Sequence, residues 1–232
     1  MPNTGTGNKF DFDGQALRYR GNSIISHIPQ STSFYQNLLK FQQEIQRSAL
    51  GDRHIFLPKN SLHITLFNGV NENIAQRNKV GYWPADVPKN AEISDVHRHL
   101  LNKLSQSNLE LPDKLLFRPT ELWTPFDKKG ITLGVELVDD RQKHSIIELR
   151  KHLNQLFETQ RNSPENLNFH ISLGYTWKVY SPTLMSWAEE QRLIWSKHFL
   201  EKNPTFEIDT IEFAVFDDML SYSPIWLKKL KA

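Results

Sequence analysis

Hydrophobic and polar positions follow two rhythms along this chain, a period of two in short runs and a period near 3.6 in longer ones. The run 22–29 (NSIISHIP) is short, β-branched and closed by Pro29, which predicts a strand. Ser31, Thr32 and Ser33 offer N-caps to a helix over 33–49, where Phe34, Leu38, Phe41 and Ile45 recur at helical spacing and Gly51 closes. SLHITLF (61–67) alternates as a strand. The polar stretch 68–90, with Gly81 and two prolines, predicts a loop or insertion. A helix follows over 94–105, then a strand over 114–123 that Pro119 interrupts.

The second half repeats the rhythm. Residues 131–138 predict a strand and 139–160 a helix, capped by Asp139 or Asp140, with an apolar stripe of Ile147, Leu149, Leu153 and Phe157. NFHISLGY (168–175) is a strand, 181–203 a helix with Pro182 in its first turn, and 206–216 a strand with clear alternation. Each half thus runs strand, helix, histidine-bearing strand, helix, strand. The histidine falls 41 residues after the first strand begins in one half and 39 in the other. This predicts an internal duplication. Lobe one covers about 22–124 with its insertion at 68–90, and lobe two about 131–217. Residues 1–21 read as an N-terminal arm and 218–232 as a C-terminal tail, where Lys228, Lys229 and Lys231 form a small solvated basic patch.

Composition narrows the function. The 232 residues are 38% hydrophobic and 23% charged, an ordinary globular balance long enough to bury a core. A net charge of +2 is too small for sequence-blind binding of long nucleic acid, yet it leaves room for a small anionic substrate. There is no cysteine, hence no disulfide, thiol nucleophile or thiolate metal site. The N-terminus lacks a basic n-region and an apolar h-region, and no apolar run approaches the roughly 20 residues a bilayer needs. A cytoplasmic protein without membrane association is expected, monomeric and with no obligate protein partner. His97 and His99 lie two apart on a predicted helix, which splits their directions. No H-E-x-x-H, carboxylate-rich cluster or glycine-rich phosphate loop occurs, so no metal and no cofactor is expected. Asp217 and Asp218 could bind a cation, but they read first as an exposed turn at a strand end.

The chemistry concentrates in two five-residue runs, Leu62-His63-Ile64-Thr65-Leu66 and Phe169-His170-Ile171-Ser172-Leu173. On a strand, His63 and Thr65 share one face and the apolar residues take the other. His170 and Ser172 do the same. Displacement at a phosphodiester needs a base on the attacking oxygen and an acid on the leaving one. Histidine can take either role near neutrality. The two hydroxyls can donate hydrogen bonds to non-bridging phosphate oxygens.

These paired runs resemble the double H-x-[ST] signature of the two-histidine (2H) phosphoesterase superfamily, which includes RNA 2′,5′-ligase-like proteins and cyclic nucleotide phosphodiesterases. The opening KFDFDGQALRYRGNSIISHIP also resembles the start of a microbial branch of it. The resemblance covers about residues 22–217. It implies an α+β, bilobal fold with two antiparallel sheets facing a central cleft, one motif from each lobe, and no metal. It further implies hydrolysis of a 2′,3′-cyclic phosphate or a 2′,5′-linked nucleotide or RNA end. His63 and His170 would be acid and base, and Thr65 and Ser172 phosphate-binding hydroxyls.

Further candidates surround this pair. Phe67 shares the parity of His63 and Thr65, so it could face the cleft and stack on a base, or be a core phenylalanine. Tyr175 follows the second motif, and Arg118 could meet a phosphate. Tyr82 and Trp83 could form a cover over a ligand, or pack under their own loop. The arm and the insertion could close the cleft around a small substrate. Two other readings use the same residues: a cleft that binds a nucleotide or RNA end without cleaving it, or two histidines satisfied within a core.

Overall fold

The computed structural model describes residues 9–11, 13–123, 126, 130–160 and 163–231. Two antiparallel sheets carry it. The first contains β1 (Gly21–His27), β3 (His63–Asn71), β8 (Thr210–Phe216) and β9 (Ser223–Lys229), in the order β3-β1-β8-β9. The second contains β2 (His54–Phe56), β4 (Leu115–Leu122), β5 (Ile131–Leu137), β6 (Phe169–Thr176) and β7 (Phe206–Ile208), in the order β2-β6-β5-β4-β7.

The sheets do not divide the chain at residues 124–131. β2 and β4 cross from the first half into the second sheet, and β8 and β9 cross back into the first. The strand expected over 206–216 is two strands, β7 and β8, separated by Asp209 and belonging to different sheets. Alternation shows that each segment has a buried face but not which sheet buries it. The expected tail likewise contains β9, paired along β8, with Lys228 and Lys229 on an exposed edge. A charged edge of this kind discourages pairing with another chain.

Helices form where the apolar spacing indicated. α1 (Ser33–Gln46) is capped by Thr32, whose hydroxyl accepts from the Tyr35 N–H, and it buries Phe34, Leu38, Phe41 and Ile45. A single turn, α2 (Ile74–Arg77), lies inside the expected loop. α3 (Ile93–Gln106) follows, then α4 (Asp140–Leu156), capped by Asp139. α4 buries Ile146, not Ile147, together with Leu149 and Leu153. α5 (Pro182–Lys202) is capped by Ser181. Within 68–90, residues 69–71, Trp83 and Pro84 are buried, and much of the rest is exposed. β3 runs through Asn71, and Trp83 is buried with its Nε1–H donating to the carbonyls of Val87 and Pro88. The Arg77 guanidinium covers the Trp83 ring at 4.3 Å.

The detail that shapes the site is a pair of bulges. Between β1 and β3 the register steps from Ile24↔Phe67 to Ile25↔Thr65, leaving Leu66 as an extra residue. Between β5 and β6 it steps from Ile131↔Gly174 to Thr132↔Ser172, leaving Leu173 extra. Each extra residue lies three positions after its histidine, so the two halves share a defect as well as a motif. A bulge shifts side-chain parity by one. The shift also sends both Leu66 and Phe67 inward.

Arg150 of α4 secures the first bulge. Its side chain is only 7% exposed despite its charge. Nε donates to the Leu66 carbonyl at 2.7 Å, Nη1 donates to the Asn166 carbonyl, and the guanidinium lies 4.9 Å from the Phe169 ring. One cation therefore ties the bulge of the first histidine strand to the segment that enters the second. Replacing Arg150 with Leu strands buried carbonyls, each worth about 1–3 kcal/mol. Urea unfolding of Arg150→Leu should show a loss of about 2–3 kcal/mol, with Arg150→Lys recovering part of it.

Two histidines lie away from the bulges, His54 buried in the frame and His97 half-buried on α3. His54 bonds through Nδ1 to the Leu50 carbonyl at 3.0 Å and through Nε2 to the Tyr180 hydroxyl at 3.0 Å. Burial holds its pKa down at about 4. His97 is also lowered to about 4, first by burial and then by the nearby Arg20 cation. Its neighbour His99 points elsewhere, to Asp86 at 2.8 Å. Both groups stay neutral when folded but take protons near pH 6.5 when unfolded. Unfolding then binds protons, so this share of stability is complete above about pH 6.5 and is lost as pH falls toward 4. Thermal midpoints should fall across that window, less so in a His54→Phe variant. A flat profile would contradict the burial argument.

Candidate active site

A cavity of about 300 Å³ opens where β3 and β6 approach each other. His63 and Thr65 line it from the first sheet, and His170 and Ser172 from the second. The structure therefore brings together the four residues that the paired motifs single out. Leu62, Ile64, Phe169 and Ile171 are buried behind them.

The bulges decide what comes next along each strand. Past Leu66 the cleft position passes to Asn68, and past Leu173 to Tyr175, five residues after each histidine. Phe67 does not line the cleft. It is 1% exposed and packs edge-on against Phe157 at 5.8 Å. Unbroken alternation put it on the wrong face, because the bulge lies one residue before it. Tyr175 does line the cleft. Its ring contacts Phe10, and Lys9 Nζ lies 4.7 Å from its centre. Burial pushes the Tyr175 hydroxyl pKa up to about 12, with a smaller push from Tyr19. The arm thus covers part of the site through Lys9 and Tyr19, whereas Tyr82 and Trp83 of the insertion do not reach it.

Arg118 is also placed elsewhere. It pairs with Glu136, on the sheet face that carries His170, but two strands away from it, roughly 10 Å. Its guanidinium bonds to Glu136 at 2.6 Å on an exposed surface and does not line the cavity. Asp217 and Asp218 are likewise accounted for. Asp217 pairs with Arg20 at 2.7 Å, and Asp218 accepts from the Leu220 N–H at 2.7 Å.

His63 has a defined protonation. Its Nδ1 lies 2.6 Å from the Ser61 carbonyl, which can only accept. Nδ1 therefore carries the proton, and Nε2 of the neutral ring keeps its lone pair. Burial lowers the His63 pKa to about 4, with smaller contributions from His27 and His170 and against the pull of the Ser61 carbonyl. The Tyr222 ring lies 4.1 Å from the His63 ring, and burial raises the Tyr222 hydroxyl pKa. His170 instead meets the Trp123 ring at 4.7 Å.

Behind His63, on β1, His27 pairs in register with it, their ring centres 6.0 Å apart. His27 Nδ1 lies 2.5 Å from the carboxylate of buried Glu212. At the matching place on β5, His170 pairs with Gly134. A side chain at Gly134 would collide with Thr120 and Trp123, so the missing Cβ is what admits the indole beside His170.

Asn68, Arg150 and Tyr222 line the cleft but were not anticipated. Arg150 had a sequence signal, since a cation sits at helical spacing inside the apolar stripe of Ile146, Leu149 and Leu153. Asn68 follows from the bulge, and Tyr222 from the crossing of β8 and β9; neither leaves a mark in a linear pattern. Among the described residues, no group of three or more histidines or carboxylates could hold a metal ion, and no helix is long and apolar enough to cross a membrane.

Comparison with known proteins agrees with this geometry. The chain is 27% identical over 176 residues to Uncharacterized protein 127L of Invertebrate iridescent virus 6, covering 73% of this chain and 72% of the relative. A conserved protein of unknown function, ATU0111 from Agrobacterium tumefaciens, superposes with a TM-score of 0.84 at 20% identity, covering 97% of this chain and 92% of that one. E. coli LigT complexed with 3′-AMP superposes with a TM-score of 0.52 at 10% identity, covering 92% and 99%. The family model described as 2H-phosphodiest, domain of unknown function (DUF1868), matches residues 9–124. That match spans half of the chain, and the second histidine strand beyond it repeats the motif and the bulge of the first: the protein belongs to this 2H phosphodiesterase family.

Proposed function

We propose that the protein is a metal-independent phosphodiesterase that hydrolyses a 2′,3′-cyclic phosphate, or a 2′,5′-linked nucleotide or RNA end, by two-histidine acid–base catalysis. The observation that carries this reading is the pair of histidine–hydroxyl strands, each with a bulge three residues on, facing one cavity. The LigT fold supports the nucleotide part, since that protein was solved with 3′-AMP.

His63 acts as the base. Its Nε2 lone pair takes a proton from water as the water oxygen attacks phosphorus. The bond from phosphorus to a ribose oxygen breaks, and His170 gives its proton to that oxygen. Thr65 and Ser172 donate to the non-bridging oxygens as charge builds on them. The two imidazoles end with exchanged protonation and reset through solvent. Arg150 and Lys9 are the lysine and arginine side chains that line the cavity, and no carboxylate lines it among the described residues, so an anionic phosphoryl group meets no repulsion.

Two measurements test the reading. In the presence of EDTA, 2′,3′-cyclic mononucleotides and a 2′,5′-linked dinucleotide are offered to wild type and to a His63→Ala/His170→Ala variant. Turnover is expected in the first and a loss of at least ~10³-fold in the second, because acid and base each contribute on the order of 10²–10⁴. Activity retained by the double variant would sink the assignment, and binding without turnover would mark the cleft as a nucleotide-binding module. The pH profile is the second measurement. The acid limb of kcat/KM reports free His63, so it should lie near pH 4, well below an ordinary histidine. The acid limb of kcat should lie higher, because the bound phosphate anion favours the imidazolium.

A further inference from the structure

The N-terminal arm is folded onto the body over its described residues. Phe10 pairs with Ala16, and the Asp11 carboxylate accepts from the Asp13 and Gln15 N–H groups at 2.9 and 2.8 Å. One part of the arm packs on the second sheet. The Phe10 ring lies 5.4 Å from the Tyr175 ring, and Gly14 sits against Ile55 and the Trp177 ring. The next part is tied to the first sheet. Arg18 makes two 2.8 Å bonds to the Glu72 carboxylate, just beyond β3. The Tyr19 N–H donates to the Asp217 carbonyl at 2.7 Å, just beyond β8, and Arg20 pairs with the Asp217 carboxylate at 2.7 Å. The arm is therefore a strap that crosses from one sheet to the other at the end of the cavity that Tyr175 lines.

Lys9 and Tyr19 are what this strap presents to the cavity. Lys9 Nζ lies 4.7 Å from the centre of the Tyr175 ring and 5.5 Å from that of Tyr19. A ring face attracts an ammonium without cancelling its charge. The Tyr175 phenol, with its pKa pushed up to about 12, stays neutral beside it. Arg150, the other basic side chain lining the cavity among the described residues, commits Nε and Nη1 to backbone carbonyls. Along β6, Tyr175 stands five residues beyond His170 with Leu173 bulged out, which is roughly 13 Å of strand. That span leaves room for one nucleoside between a phosphoryl group at the histidines and an anion at Lys9.

We infer that Lys9 binds a second, terminal phosphoryl group of the substrate, so that the cleft prefers a nucleotide carrying a 5′-phosphate besides its reacting phosphate over the same nucleotide without one. The inference rests on the nucleotide reading of the cleft. A terminal phosphate carries about −1.5 to −2 charges near pH 7, more than the single charge of an internal diester, and a lysine meets it as a point charge. The strap crosses the cleft at this end, so the group beside Lys9 ends the substrate and does not link it to a longer chain. No carboxylate lines the cavity among the described residues to repel that group.

The test is direct binding, which does not need turnover. Adenosine 3′-monophosphate and adenosine 3′,5′-bisphosphate are titrated calorimetrically into the intact protein and into Lys9→Met and Lys9→Arg. The methionine keeps the apolar stem that packs on the tyrosines and removes only the charge. The readout is the ratio of the two affinities within each protein. Wild type should bind the bisphosphate ~10-fold or more tighter than the monophosphate. Lys9→Met should bring the ratio near one, and Lys9→Arg should retain most of it. Equal affinities in the wild type, or a preference that survives in Lys9→Met, would overturn the role of Lys9 and leave the two-histidine reading standing. Binding of neither nucleotide would overturn it together with the nucleotide reading of the cleft.

Discussion

The site depends on where two strands break their alternation. A regular β-strand presents every second side chain to one face, so a cleft lined by a single unbroken strand would follow His63 and Thr65 with Phe67. The extra residue at Leu66 turns Phe67 into the core and brings Asn68 to the cleft. The matching bulge at Leu173 brings Tyr175 to the opposite wall. Each wall therefore reads imidazole, hydroxyl, then a larger polar group. Arg150 holds one of these breaks in place through the Leu66 carbonyl and reaches across to Asn166 in the approach to the other histidine strand. A buried guanidinium is a costly way to satisfy two carbonyls. Its place is explained because one carbonyl lies at the bulge of the first wall and the other in the segment that enters the second.

Much of this was legible in the linear pattern, for a physical reason. Histidine and hydroxyl two residues apart, with apolar residues between, specify a half-buried strand whatever it pairs with, so His63, Thr65, His170 and Ser172 followed directly. α1 and α4 also followed, because side chains at helical spacing must share a face. What was not legible depended on pairing. Bulges are defined by register with a partner strand, and Leu66 looks like any other apolar residue until Ile24 and Ile25 are set beside it. β7 and β8 read as one strand because both bury alternate residues, although they bury them in different sheets. Arg118 looked available for a phosphate, but it spends its charge on Glu136 across the sheet. Arg150 is the instructive omission, since an arginine within an apolar stripe either breaks the helix's packing or is held by something, and here the bulge holds it.

The two walls repeat a motif but not its surroundings, and on the proposed mechanism that difference separates base from acid. Across from His63 stands His27, hydrogen-bonded to buried Glu212; across from His170 stands Gly134, and the space it leaves holds the Trp123 indole. His63 donates Nδ1–H to the Ser61 carbonyl, a neutral acceptor that orients the ring but stabilises an imidazolium much less than a carboxylate would. Burial then wins, and the ring stays neutral with Nε2 bare. A second imidazole nearby reinforces this, because any positive charge on His27 repels a proton from His63. The Glu212 carboxylate meets His27 rather than His63, so the counter-charge available on this wall is spent one residue away from the reacting atom. On the proposed mechanism the two strands place chemically identical groups around one phosphorus, and burial, together with what faces each ring on the neighbouring strand, sets their tasks apart.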